Sequence, residues 1–162
     1  MGQAGEEPTS NFAVPDERFF ETWNFQDHQG RVYGSVPSKV PRRRSDRDGW
    51  LVVFIAPMEG KGPWYAVGCY ENATLQNPRL LHPVPNRTPF TYCLTAAFED
   101  AHLIKSNDRH LFPAPEIGHH FGNTKFIYAR DPKKPESWDT DWRQRSAEFA
   151  ERVRTFSSSN AT

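Results

Sequence analysis

At 162 residues the chain fits one domain with a modest core. Apolar residues make up only 36% while aromatic ones reach 14%, so the core is expected to be built from large flat side chains, with rings left over for a pocket. Basic and acidic side chains balance at 20 each, which excludes a global field drawing the chain onto nucleic acid or membrane and leaves any such affinity to a local patch.

Residues 1–15 are small, polar and proline-containing and read as a disordered lead-in. Residues 16–156 read as a single domain, with 157–162 a flexible, serine-rich tail. Between 16 and 36 rings alternate with turn formers, and a short strand or turn is expected near Thr22–Phe25. Residues 37–48 carry two prolines and five basic side chains and read as a charged loop. The clearest signal comes next. Trp50-Leu-Val-Val-Phe-Ile-Ala and Trp64-Tyr-Ala-Val-Gly-Cys-Tyr are β-branched and aromatic runs joined by a Gly/Pro-rich break, the pattern of an antiparallel hairpin. Gly68, inside the second run, predicts a bulge, a bend, or the close approach of another backbone or a ligand.

Residues 76–90 hold four prolines and read as a long irregular connection. A third strand is expected over Thr91–Ala96, a helical turn or bend over Ala97–Leu103, loop over 105–120, and a short strand over Lys125–Ala129. The C-terminal helix is the strongest helical signal. Ser137 is its expected N-cap, and Trp138, Trp142, Phe149, Val153 and Phe156 form one apolar stripe that reads as core. Asp139 and Asp141 are expected in its first turn, and Arg152 and Arg154 in its last. The fold class that follows is α+β: a small curved β-sheet or barrel with peripheral helices and a C-terminal amphipathic helix.

Catalytic signatures are missing from the linear sequence. There is no GxxxxGK[ST], GxGxxG, GxSxG or HExxH. The six histidines do not pair at a spacing of four, and His119-His120 reads as a solvated loop pair. Glu99-Asp100 reads as a turn or cap rather than an acid–base pair. Cys69 and Cys93 lie in apolar runs and read as buried, reduced thiols. Residues 1–20 lack the apolar core of a signal peptide, and no window is long enough to span a bilayer, so the expected compartment is the cytoplasm. These features predict a binding module that needs no cofactor or metal, with no enzyme activity of its own.

Three segments carry a family resemblance. Trp64-Tyr-Ala-Val-Gly-Cys-Tyr-Glu-Asn-Ala-Thr-Leu resembles a strand of the PUA-like, EVE-like modules that accompany nuclease domains in modification-dependent restriction. Ala96-Ala-Phe-Glu-Asp-Ala-His-Leu-Ile, followed by Asn107-Asp-Arg, and His120-Phe-Gly-Asn-Thr-Lys-Phe-Ile-Tyr-Ala are similar to later segments of the same family, in the same order. Asn123-Thr-Lys stands where that family tends to carry a Gln-Ser-Asn type triplet.

The resemblance, which extends to the YTH, ASCH and SRA groups, implies a curved sheet whose pocket takes a flipped or unpaired base. Extruding the base costs a few kcal/mol, offset by stacking and edge hydrogen bonds. The expected partner is nucleic acid, DNA before RNA, with modified cytosine such as 5-methylcytosine the expected target. The nuclease would be a fused or associated domain. Candidate pocket residues are Trp23, Asn24, Trp50, Trp64, Tyr70, Asn72 and Asn123: rings to stack, and amides that both donate and accept. Candidate phosphate contacts are Lys39, Arg42, Arg43, Arg44 and Arg47. Two alternatives stay open. One is a YTH-type reader of modified RNA. The other is a protein or small-molecule interaction domain that docks through the C-terminal helix.

Overall fold

The computed structural model describes residues 23–35, 44–57, 63–83, 91–115 and 140–159. Its elements are β1 (Arg31–Gly34), β2 (Trp50–Pro57), β3 (Trp64–Leu81), β4 (Thr91–Ala97), β5 (Ala101–Leu103) and the helix α1 (Thr140–Ser159). The architecture is α+β, a curled antiparallel half-barrel sheet with one C-terminal helix.

The long strand β3 organises everything else. Its first half pairs with β2 in the expected hairpin, from Pro57↔Trp64 to Trp50↔Ala73. Its other edge pairs with β5 through Gly68↔Leu103, Cys69↔His102 and Tyr70↔Ala101. Further along, Thr74↔Thr95 and Leu75↔Leu94 join it to β4, whose far edge takes β1. Because β3 serves both halves of the sheet, it must bend, and the register shifts mark where. One falls between Phe54 and Ile55 opposite Gly68 and Ala66, so Val67 is the extra residue of a bulge.

Gly68 fulfils two of its expected roles: it flanks that bulge, and backbone comes close to it. A Cβ there would stand 2.4 Å from the His102 carbonyl oxygen and 2.4 Å from Phe25 Cζ.

The apolar run of β2 is continuous because both faces are covered. Trp50, Val52 and Phe54 pack on a core of Phe25, Val32, Tyr70, Ala73, Leu75, Cys93, Leu94 and Ala96. Leu51 and Val53 face a second core of Ala66, Cys69, Ile104, Phe112 and Val153. Helix α1 closes the second core. Val153 is fully buried, Phe149 and Phe156 pack beside it, and the Phe156 ring meets Phe112 at 4.8 Å. This part of the apolar stripe is core, as its spacing predicts.

Near Thr22–Phe25, where a strand or turn is expected, Trp23 and Asn24 form a helical turn. Other expectations are corrected. The chain past Gln76 stays in β3 as far as Leu81 rather than turning irregular. Proline is tolerated there because the pairing with β4 skips from Leu75 to Leu80, so Pro78 sits where no ladder donor is required. The bend expected over Ala97–Leu103 is a 3-10 turn at Phe98–Asp100, after which the chain rejoins β3 as β5. A second 3-10 turn, Ser106–Leu111, occupies the expected loop.

The serine-rich residues after Phe156 continue the helix to Ser159, so Arg152 and Arg154 are not in its last turn. Two hydroxyls satisfy carbonyls one turn back: Thr155 Oγ1 donates to Glu151 O at 2.9 Å, and Ser159 Oγ to Thr155 O at 2.8 Å. The lead-in, Ser137, Trp138, Asp139 and the strand expected over Lys125–Ala129 lie outside the described residues.

Candidate functional site

Tyr70 is not a pocket wall. It is fully buried, its ring lies 5.3 Å from Phe25 and 4.7 Å from Phe54, and its hydroxyl donates to the Asn24 carbonyl. That bond anchors the Trp23–Asn24 turn, and both of its residues are half-buried. Trp64 stands apart at the loop end of the hairpin, opposite Pro57, 41% exposed, its carbonyl taking the Ala114 amide at 2.8 Å.

Three predicted residues do converge. Arg47 is tied to β3 twice, its carbonyl accepting from Leu75 N at 2.8 Å and its guanidinium donating to Asn77 O at 3.1 Å. Trp50, half-buried, pairs with Ala73 one residue beyond Asn72. Asn72 is exposed in a left-handed conformation, φ 48°, with its amide 3.5 Å from Asp100 Oδ2. Thr74 Oγ1 donates to Asp48 at 2.8 Å and holds the same loop end in place. Arg44 is exposed in the 3-10 turn just before Arg47. Thus the end of the basic loop is fixed on the sheet beside a tryptophan and an asparagine. Lys39, Arg42, Arg43, Asn123, His119 and His120 lie outside the described residues.

Sequence reasoning missed a second group of rings. Tyr33 and Tyr92 meet edge to face at 4.9 Å, and His82 lies 5.6 Å from Tyr33 and 6.3 Å from Tyr92. His28 adds a fourth ring, 6.2 Å from Tyr33. All four are half-buried. The available signal was the alternation Arg31-Val-Tyr-Gly34: Val32 and Gly34 are buried, which puts Arg31 and Tyr33 on the other face.

Elsewhere the described residues offer little chemistry. No group of three or more His, Cys, Asp or Glu among them is placed to hold a metal ion. His102 Nε2 and Glu71 Oε1 pair at 3.3 Å. A shallow groove of about 470 Å³ runs along α1, lined by Phe112, Glu151, Arg152, Thr155, Phe156 and Ser159, and includes none of the predicted site residues.

Both cysteines are buried free thiols, as their apolar settings predict. Burial pushes the Cys69 thiol up from 9.0 to about 11; Glu71 adds to this, while Ser157 and Arg154 oppose it. A folded-state value above the unfolded one stabilises the fold below pH 9, and that stability is lost as the pH rises through 11. The unfolding free energy from urea melts should therefore fall between pH 8 and 11, by about 2–3 kcal/mol in all. At pH 8 iodoacetamide should leave both thiols unmodified until denaturant is added.

No protein-family model matches the chain, and comparisons with curated proteins and with solved structures give no match either. Among the described residues no helix is long and apolar enough to cross a membrane.

Proposed function

We propose that the chain is a nucleic-acid-binding module of PUA-like plan that reads a modified base, foremost modified cytosine in DNA, and serves as the specificity part of a restriction system. The observation supporting this reading is the loop end fixed at Arg47. A cationic segment is held against the sheet where Trp50 offers a half-buried ring and Asn72 an amide. Cations position a phosphate backbone, and rings and amides read a base.

Fluorescence anisotropy with matched unmodified, methylated and hydroxymethylated duplexes tests it. A single buried methyl contributes ~0.8 kcal/mol, about fourfold in affinity, so a larger preference requires hydrogen bonds as well. Arg44→Ala with Arg47→Ala should weaken binding to all duplexes together and flatten the salt dependence by about one unit of slope per arginine. Equal affinity for the three duplexes, unaffected by the double substitution, rejects the reading. Stronger competition by single-stranded RNA moves the target to RNA.

The interaction-domain reading is weakened by the packing of α1. Val153 is buried in the second core and Phe149 and Phe156 pack against it, so this part of the stripe serves the fold first.

A further inference from the structure

We propose that the face formed by Tyr33, His82 and Tyr92 is a stacking platform for an unpaired nucleobase in a single-stranded stretch. It rests on the nucleic-acid reading above but uses residues that reading does not. The rings belong to three segments: Tyr33 to β1, Tyr92 to β4, and His82 to the residue just past β3. None is adjacent to another in sequence, so the fold assembles the group.

Each ring keeps part of its surface in solvent. The tyrosine pair is edge to face at 75°, an arrangement in which one ring props the other and does not cover it. Burial and the Tyr33 phenol raise the Tyr92 pKa, so the Tyr92 ring stays neutral at ordinary pH. Leu80, 42% exposed and paired with Tyr92, extends the apolar area beside that ring.

The charges around this surface point to a polyanion rather than an apolar partner. Arg31 shares the Tyr33 face, donating to Thr95 Oγ1 at 3.2 Å, and lies near enough to Tyr92 to oppose its pKa rise. Arg79 sits one residue before Leu80 and donates to Ser35 Oγ at 2.9 Å, reaching the end of β1. Arginines held on two sides of a ring cluster are what a single strand needs: stacking for the base and cations for the phosphates on either side. The nearby carboxylate of Asp27 is turned onto the Gly30 amide at 2.8 Å. A sheet surface bearing rings, with bases laid on it, is also a physically recurrent way of holding single-stranded nucleic acid.

The test is anisotropy with fluorescein-labelled single-stranded dT and rU 12-mers, alongside the duplexes above. Stacking on one ring contributes ~1–3 kcal/mol per base, so Tyr92→Ala and Tyr33→Ala should each weaken strand binding by about 5- to 160-fold. Tyr92→Phe should stay within about twofold of the native affinity, since the ring face is unchanged. Near-UV circular dichroism confirms that each variant is folded. Strand binding that survives both alanine variants but falls with Arg44→Ala and Arg47→Ala overturns the platform and leaves the nucleic-acid reading intact. A native protein that binds neither strand nor duplex overturns both. Sedimentation showing a dimer that Leu80→Asp dissolves, with no strand bound, gives this face to a second copy of the chain and overturns the proposal.

Discussion

Replacing Gly68 with alanine is expected to cost about 3 kcal/mol or more, and replacing it with valine to prevent folding. The added methyl meets two obstacles, neither of which is the free end of a flexible side chain. The His102 carbonyl oxygen, 2.4 Å away, is backbone held in the β3–β5 ladder by the flanking pairs Gly68↔Leu103 and Cys69↔His102. The Phe25 ring, also 2.4 Å away, is held between Phe54 and Tyr70 with both centroids at 5.3 Å. Overpacking typically costs ~1–3 kcal/mol when neighbours can relax; here relaxation breaks either a strand pair or an aromatic cluster. Gly49 is the control. Its φ of 76° disfavours a side chain, yet a Cβ at that position would meet nothing within 4 Å, so Gly49→Ala should cost only ~1–2 kcal/mol, the conformational penalty alone. Urea denaturation of the two variants measures the contrast. Equal losses would show that the space around Gly68 has slack.

The elements legible in the sequence are those in which local pattern and tertiary burial agree. The hairpin is readable because β2 is covered on both faces, which gives an uninterrupted apolar run. The helix is readable because Phe149, Val153 and Phe156 meet one core at helical spacing. The elements that escape a sequence reading are those in which local signals oppose the fold. Pro78 and Pro83 make the end of β3 look like a loop, but the β4 pairing simply skips the interval between Leu75 and Leu80. Near Thr22–Phe25 the residues alone leave strand and turn open, and the distant Tyr70 hydroxyl holds the turn by donating to the Asn24 carbonyl. The extension of α1 through Ser159 goes with the burial of Ser157 against the rest of the fold, where composition alone reads a frayed tail.

The candidate site is legible in part. Arg47, Trp50 and Asn72 stand out by residue type, and the structure brings them together because β2 and β3 run antiparallel from that end. Tyr70 stands out for the same reason, but a tyrosine serves equally well as a buried ring with one satisfied hydroxyl. The Tyr33–His82–Tyr92 group is invisible in the sequence, because its members come from segments that meet only through β1–β4 and β3–β4 pairing.

The two kinds of tyrosine should separate in a crossed experiment. Tyr70→Ala removes a fully buried ring that touches Phe25 and Phe54, and is expected to cost ~3–5 kcal/mol, a large share of the ~5–15 kcal/mol that holds a typical domain folded. Tyr70→Phe keeps the ring and removes only the donor to Asn24 O, which should cost ~1–2 kcal/mol and leave nucleic-acid affinity unchanged. Tyr92→Ala should behave in the opposite way. Its ring is largely outside the core, so stability should fall by ~1 kcal/mol, whereas strand affinity falls by the stacking contribution. Stability from urea melts and affinity from anisotropy then give a two-by-two comparison. A scaffold ring moves the first and not the second; a ligand-bearing ring does the reverse. If Tyr70→Phe lost affinity at full stability, the buried ring would have to open to a ligand, and the division between hairpin scaffold and β1–β4 binding face would be wrong.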